Sequence, residues 1–156
     1  MRIRAFDSAD LGAVADIHRA SFERQQHSSD WIRANAAAFP RVRLYVAELG
    51  GAVRGYIFWT EKSGFRADAV LELEQIAVSP PHRGQGIGRA LICQSLPDVA
   101  RQLAARPARL KAVLVSTRAD NAAQRLYRKV LGAEVEATLS SLYSADEVVM
   151  VARKPL

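Results

Sequence analysis

A glycine-rich segment is the part of the sequence best suited to bind an anion. Gly84, Gly86 and Gly88 occupy alternate positions between Arg83 and Arg89. Glycine lets the backbone approach a ligand closely and adopt positive φ without steric cost. The apolar residues that follow predict a helix, whose unpaired N–H groups and dipole favour negative charge at its start. The segment therefore predicts an anion site, most naturally for a phosphate group.

The spacing of these residues differs from two common phosphate loops. Arg89 stands where a dinucleotide-binding fingerprint needs its third glycine, and the Lys-Ser/Thr pair of a P-loop is absent. The stretch instead resembles the acetyl-CoA-binding motif of the GNAT acetyltransferases, with Arg83, Gly86 and Gly88 preceded by IAVSP at 76–80. The resemblance implies the GNAT fold, which is α+β with a mixed central sheet of about seven strands flanked by about four helices.

The resemblance also implies a cofactor, acetyl-CoA, and the residues that hold it. In the family the glycine loop binds the pyrophosphate, and the preceding strand pairs with the pantetheine arm through its backbone. The expected cofactor-binding residues are Ile76, Ala77, Val78, Arg83, Gly84, Gln85, Gly86, Ile87, Gly88, Arg89, Asp120 and Asn121. Apolar and polar residues alternate along 71–74 and then give way to an apolar run at 76–78, which predicts a β-bulge near 74–76. The alternative is a strand end that is buried on both faces without a bulge.

Two glutamates on this strand are candidates for the base that deprotonates an amine. Glu72 lies six residues before Val78, the position of the general base in histone-acetyltransferase-like members of the family. Glu74 is the nearer candidate, and some family members use only a chain of water molecules. Alternation along the strand explains both glutamates equally well as its solvent-facing side.

Tyr127 is the candidate general acid that would protonate the coenzyme A thiolate. The segment RADNAAQRLYRKVLGAE resembles the last conserved helix of the family, but its spacing departs from the pattern by one residue. Alignment on Asp120 restores Tyr127 and places it on an apolar stripe with Ala123 and Val130. Alignment on Asn121 would instead turn Gln124 and Arg128 inward. The other interpretation of Tyr127 is a core tyrosine whose hydroxyl is hydrogen-bonded.

The elements that must position these residues follow from the apolar patterns and the turn residues. Asp7, Ser8 and Asp10 are candidate N-caps of the first helix. Gly50-Gly51 predicts a hairpin turn between two strands. Pro97 predicts a break in the helix after the glycine loop, and Gly132 predicts the end of the last helix. The sequence predicts strands at 1–6, 42–49, 52–61, 69–78, 110–117, 134–139 and 146–153, and helices from about 11, at 31–39, from 88 in two pieces, and at 121–131.

Length and composition bound the class of protein. A chain of 156 residues, 49% of them hydrophobic, predicts a single domain over 1–156 with its own core. The N-terminus lacks the apolar segment of a signal peptide and no apolar run could cross a membrane, so a cytoplasmic protein is expected. Cys93, the sole cysteine, is expected to be a buried residue of a core helix. The scattered histidines predict no metal site.

Taken together, these features predict an N-acetyltransferase that transfers an acetyl group to a primary amine by direct attack in a ternary complex. The alternative is a non-catalytic acyl-CoA-binding or regulatory module. The net charge of +6 is dispersed without a nucleic-acid motif, so no nucleic-acid partner is expected. The acceptor, a small molecule or a protein N-terminus, stays open, as does the oligomeric state, with a homodimer possible. His18, Glu23 and His27, read as solvated residues, and the loop 140–146 are candidates for the acceptor pocket.

Overall fold

The computed structural model describes residues 1–155, which form an α+β architecture on one mixed sheet. The elements are β1 (Arg2–Ala5), α1 (Leu11–Ser21), α2 (Ser28–Ala37), β2 (Val42–Leu49), β3 (Ala52–Lys62), β4 (Asp68–Val78), α3 (Ile87–Ala104), β5 (Arg109–Arg118), α4 (Gln124–Leu131), β6 (Glu134–Leu139) and β7 (Glu147–Ala152). Within residues 1–155 the sheet has 7 strands in the order β1-β2-β3-β4-β5-β7-β6. The predicted fold class is confirmed.

The chain separates into two compact units. The first comprises Met1–Trp59 with Gln75–Leu96, and the second comprises Thr60–Glu74 with the chain from Pro97 onward. Strands β3 and β4 and helix α3 each contribute residues to both units. The prediction of a single domain over 1–156 stays a prediction.

In the first unit, polar contacts fix the entry into α1. The Asp7 side chain accepts a hydrogen bond from the Ala9 N–H at 2.9 Å, and the Asp10 side chain accepts one from the Asp7 N–H at 2.8 Å. This reciprocal pair is a capping box, which satisfies donors that the helix leaves unpaired. The Arg4 guanidinium also donates to both oxygens of Asp10, at 2.7 and 2.9 Å, and this hydrogen bonding lowers the pKa of Asp10. Asp7 thus caps the short 3-10 turn Ser8–Asp10 that leads into α1, whereas Asp10, the N-cap residue of α1 itself, makes no side-chain capping hydrogen bond.

The core of the first unit is assembled from α1, α2 and the β2–β3 hairpin. The hairpin turns at Gly50 and Gly51, both with positive φ, as the sequence predicts. Trp59 is fully buried, and its indole N–H donates to the Ser95 hydroxyl of α3 at 2.7 Å. The buried residues of this core are Val14, Ala15, Ile17, Ile32, Val42, Leu44, Val46, Tyr56, Phe58 and Ala77.

Gly55 marks a close approach between β3, β4 and α3. A Cβ built on Gly55 would lie 3.0 Å from the backbone oxygen of Ala77, 3.1 Å from Ile87 Cγ2 and 3.3 Å from Leu91 Cδ1. The backbone oxygen cannot move aside as a flexible side chain can. Glycine at this position therefore allows α3 to pack against the strands.

We expect Gly55→Ala to lower the free energy of unfolding by about 1–3 kcal/mol, the usual range for overpacking a filled core. Urea denaturation of parent and variant measures the difference. Gly12→Ala is a matched control, because Gly12 lies in α1 with nothing within 4 Å of the added Cβ. Alanine is the better helix former, so this control should gain about 0.5–1 kcal/mol. Equal stability of Gly55→Ala and the parent would contradict the close approach.

Helix α3 differs from the sequence prediction in two respects. Pro97 lies inside one continuous helix of 18 residues, so the predicted break is wrong. Leu96 and Val99 on either side of Pro97 are buried, and this tertiary packing offsets the hydrogen bond that proline cannot donate. Cys93 is exposed, so its expected burial is also wrong. The buried stripe passes through Ile92, Leu96, Val99 and Leu103, which leaves position 93 on the outer face.

The second unit is built around β5, with β7 and β6 beside it. β5 pairs with β7 in antiparallel orientation from Val113–Ala152 to Arg118–Glu147. On its other side, β5 pairs in parallel with β4 from Asp68–Arg109 to Glu72–Leu114. Helix α4 lies against β5 and ends at Gly132, which has φ +66°. The prediction that Gly132 ends this helix is therefore confirmed.

Candidate active site

The glycine-rich loop of the first unit leads directly into α3. Gly84 and Gly86 have φ of +77° and +80°, and a Cβ at either position would meet nothing within 4 Å. The conformation, and not crowding, therefore requires glycine at these two positions. The loop is open to solvent, with Arg83 and Arg89 both exposed. Arg83 is oriented by hydrogen bonds from Nε to the Val78 carbonyl oxygen at 3.1 Å and from Nη2 to Ser21 Oγ at 3.2 Å.

This arrangement fits the diphosphate of an acyl-CoA. Turns built on positive-φ residues present successive N–H groups as a concave site for anions. The start of α3 at Ile87 adds the unpaired N–H groups of a first helical turn. Two exposed guanidinium groups flank the loop and can pair with phosphate oxygens. The segment Arg83 to Arg89 could therefore hold a phosphate group, and its role stays a prediction.

Strand β4 carries four of the predicted site residues on one face. Glu72, Glu74, Ile76 and Val78 are all half-buried, whereas the intervening positions, including Ala77, are buried. The alternation in burial therefore continues to the end of the strand, so the alternative of a strand end buried on both faces is wrong. The bulge near 74–76 stays a prediction. The register shift between β4 and β5 lies between Ala69 and Val70.

The two candidate bases differ in their partners. Both carboxylate oxygens of Glu72 are engaged, since Lys62 Nζ lies 2.8 Å from Oε2 and Ser116 Oγ donates to Oε1 at 3.2 Å. Glu74 accepts a hydrogen bond from the Thr60 hydroxyl at Oε2. Within residues 1–155, no protein group is hydrogen-bonded to Glu74 Oε1, and this atom is not among the fully buried unsatisfied ones.

Asp120 and Asn121 lie in the turn that joins β5 to α4. Asn121 Oδ1 accepts a hydrogen bond from the Ala123 N–H at 2.9 Å, and its amide donates to Thr117 Oγ1 at 2.8 Å. The Arg118 guanidinium donates to both carboxylate oxygens of Asp120 at 2.9 Å. Asn121 therefore shapes the turn before α4, and both side chains are exposed.

Tyr127 lies on the buried face of α4 and is 5% exposed. Burial raises the pKa of Tyr127 to about 12, so the hydroxyl keeps its proton at neutral pH. Within residues 1–155 the structure gives this hydroxyl no hydrogen-bond partner. A core tyrosine usually has a partner for its hydroxyl, so the structure leaves this donor available.

The buried face of α4 agrees in part with each of the two alignments considered for this helix. Tyr127 is buried and Arg128 is exposed, as alignment on Asp120 predicts. Gln124 is buried as well, and its amide donates to the carbonyl oxygens of Arg118 and Ala119 at 3.2 and 2.8 Å. The glutamine is thus accommodated by the backbone at the end of β5 and the turn that follows.

His18 belongs to a buried polar network that sequence reasoning missed. Its side chain is fully buried, so the expectation of a solvated histidine is wrong, whereas Glu23 and His27 are exposed. His18 Nδ1 lies 2.9 Å from Ser28 Oγ, and Nε2 lies 2.9 Å from Gln25 Oε1. The Gln75 amide of β4 donates to the same Gln25 oxygen at 3.0 Å.

Gln75 extends this network into the core of the first unit. Its Oε1 accepts hydrogen bonds from the Trp31 indole at 3.1 Å and from the Tyr56 hydroxyl at 3.2 Å. Burial raises the pKa of Tyr56 above its ordinary range, so this hydroxyl remains a donor. The segment between α1 and α2 is therefore joined to β4 by the hydrogen bond between the side-chain amides of Gln75 and Gln25.

We expect the stability of the protein to fall as the pH drops below about 6.5, the ordinary pKa of histidine. Burial lowers the pKa of His18 in the folded state, so the unfolded chain binds a proton more readily in this range. Urea denaturation between pH 5 and pH 7.5 should show this decline, with a smaller slope in His18→Gln. The exposed His27→Gln is the matched control and should keep the parent slope. An unchanged slope in His18→Gln would contradict the assignment.

The described residues carry neither a metal-binding group nor a membrane-spanning helix. Within residues 1–155, no cluster of three or more His, Cys, Asp or Glu side chains could hold a metal ion. None of the helices in the same range combines the length and apolar character needed to cross a bilayer.

Comparison with known proteins identifies the family of the chain. Residues 11–133 match the acetyltransferase (GNAT) family. An uncharacterized N-acetyltransferase of Methanocaldococcus jannaschii is 29% identical over 157 residues, covering 99% of this chain and 93% of the relative.

Two solved structures share the fold. The ribosomal-protein-S18-alanine N-acetyltransferase of Escherichia coli has a TM-score of 0.75 at 21% identity, covering 99% of this chain and 94% of the other. A putative acetyltransferase of Salmonella typhimurium, solved with its cofactor acetyl-CoA, has a TM-score of 0.73 at 23% identity, with coverage of 97% and 92%. The match to the family extends over most of the sequence, from α1 to the residue before β6, and the chain belongs to the GNAT family of N-acetyltransferases.

Proposed function

We propose that the chain, acting as one domain, transfers an acetyl group from acetyl-CoA to a primary amine by direct attack in a ternary complex. The observation that carries the proposal is the open loop with positive φ at Gly84 and Gly86, at the start of α3. Bound acetyl-CoA would supply an activated acetyl thioester. The chain's own residues would hold that group, accept a proton from the amine and donate a proton to the leaving sulfur.

Binding is assigned to the first unit. The backbone of the loop and the guanidinium groups of Arg83 and Arg89 would hold the pyrophosphate. The backbone of Ile76 and Val78 would pair with the pantetheine arm, and an N–H of this strand end would donate to the thioester oxygen. The half-buried position of both residues on one face of β4 supports this role.

Proton transfer is assigned to the second unit. Tyr127 would donate its proton to the departing thiolate, since its hydroxyl is protonated at neutral pH and has no other partner in residues 1–155. Glu72 or Glu74 would take the proton that the amine must lose before it can attack. Asp120 and Asn121, which flank the turn before α4, are proposed to support cofactor binding there.

The acceptor is proposed only as a class. A relative with the same fold acts on the alanine of a ribosomal protein, which presents a primary amine. Either a small amine or a protein N-terminus fits the chemistry of the proposed residues. We propose a cytoplasmic location for the protein, together with this activity.

The experiment that tests the function is an acetylation screen with acetyl-CoA and a panel of small amines, aminoglycosides, amino acids and peptide N-termini. Mass spectrometry of the products gives the readout, and a gain of one acetyl group on an amine is expected. Cofactor binding without turnover of any amine would favour the non-catalytic acyl-CoA-binding module. Because Cys93 is exposed, Cys93→Ser belongs in the same screen. Full activity of that variant is expected for direct attack, whereas its loss would indicate an acyl-enzyme.

A further inference from the structure

Two carboxylates project from the same face of β4, and the structure distinguishes them. Glu72 is paired with a cation at one oxygen and with a hydroxyl at the other, from Lys62 and Ser116. Glu74 has a single neutral partner, the Thr60 hydroxyl, and it binds only one oxygen. Both oxygens of Glu72 are therefore occupied by protein groups, whereas Glu74 keeps one oxygen that an amine or a water molecule can approach. This geometry favours Glu74 over Glu72 as the group that contacts the acceptor.

Thr60 is well placed to orient Glu74. It lies on β3 and is 2% exposed. A β-branched side chain has few rotamers, so the hydroxyl is held in one direction. Its donation to Oε2 orients the carboxyl group. Within residues 1–155 this leaves Oε1 without a protein partner and available for a proton.

We propose that Thr60 is a positioning residue that selects Glu74, and not Glu72, as the carboxylate that takes the proton from the acceptor amine. In this step an N–H bond of the ammonium or amine breaks and an O–H bond forms at Glu74 Oε1, either directly or through one water molecule. The Thr60 hydroxyl stays on Oε2 throughout and is neither consumed nor ionised. The inference rests on the proposed acetyl transfer and adds the identity and the orientation of its base.

The test compares variants at the two hydroxyls that contact the glutamates. Thr60→Val removes the hydroxyl and keeps the shape, Thr60→Ser keeps the hydroxyl, and Ser116→Ala removes the hydroxyl that contacts Glu72. Turnover is measured from pH 5.5 to pH 9.5 with saturating acetyl-CoA and the amine found in the screen. Without the Thr60 hydroxyl the Glu74 carboxyl group is no longer held in position, so kcat/KM of Thr60→Val should fall roughly 10–10²-fold across this pH range.

The expected pattern separates positioning from packing. Thr60→Ser should restore the parent profile, Ser116→Ala should leave it unmoved, and Thr60→Val should keep the acetyl-CoA affinity of the parent. Glu74→Gln provides a second test that does not depend on the folding of Thr60→Val. The kcat of Glu74→Gln should fall roughly 10²–10⁴-fold.

Three results would overturn the inference. They are parent-like turnover in Glu74→Gln, a parent-like kcat/KM in a folded Thr60→Val, and a loss of kcat/KM confined to Ser116→Ala, which would assign the base to Glu72. Failure of the proposed function looks different, because the parent itself would then turn over no amine in the panel. The variants are compared only with a parent that acetylates an amine, so the two failures cannot be confused.

Discussion

Tyr127→Phe is expected to lower kcat roughly 10²–10⁴-fold, as for the loss of one acid–base group. The variant keeps the aromatic ring in the buried face of α4 and removes only a hydroxyl without a partner in residues 1–155. The melting temperature should therefore change little. Acetyl-CoA affinity should also be preserved, because the lost interaction forms mainly in the transition state. Steady-state kinetics with calorimetric binding measures both quantities.

The matched control is Tyr45→Phe, since Tyr45 is another buried tyrosine, on β2 and outside the proposed site. It should turn over like the parent. If Tyr127→Phe is fully active and Arg128→Ala is not, the alignment of this helix with the family pattern must be shifted by one residue. If neither change lowers kcat, water delivers the proton and Tyr127 has only a structural role in the core.

The second large effect is expected from Gly86→Asp, which should weaken acetyl-CoA binding at least tenfold, or about 1.4 kcal/mol. An aspartate there would place a negative charge in the loop proposed to hold the pyrophosphate, at a backbone φ of +80°. Side chains rarely adopt this conformation, so the loop would also be strained. Isothermal titration calorimetry on the folded variant gives the affinity.

Gly50→Asp is the matched control for this experiment. Gly50 also has positive φ, +62°, with nothing near the added Cβ, but it lies in the β2–β3 turn. It should carry a similar strain and charge and leave acetyl-CoA affinity unchanged. Equal affinity in Gly86→Asp and the parent would mean that the cofactor binds elsewhere. Equal loss in both variants would indicate a general effect of charge.

Most of the fold could be predicted because its elements follow local rules. Alternating apolar and polar residues predicted the strands. Gly50 and Gly51 predicted the hairpin turn, and Gly132 predicted the end of α4. The errors occurred where tertiary packing overrides a local preference. Pro97 does not break α3, because burial of its neighbours stabilises a helix that proline alone would end.

The candidate site was predicted less completely than the fold. The glycine loop and the side of β4 that carries Glu72 and Glu74 could be recognised from spacing. The partners of these two glutamates could not be predicted. Thr60 and Lys62 lie on β3, and whether they meet the glutamates of β4 depends on the register between the two strands, which the loop at 63–67 sets. His18 was missed for a similar reason. Its partners Gln25 and Ser28 follow α1 in the chain, but Gln75 comes from β4, and only their assembly makes a buried histidine tolerable.

The exposed thiol of Cys93 makes the protein itself a reactant in one common assay format. Coenzyme A released by an acetyltransferase can be followed with a disulfide dye, and the thiolate of an accessible protein cysteine attacks the disulfide of such a dye as well. Because Cys93 is the sole cysteine, each chain would add one equivalent of colour before any turnover. The same residue offers a single attachment point for a fluorophore on the outer face of α3, without removal of other cysteines.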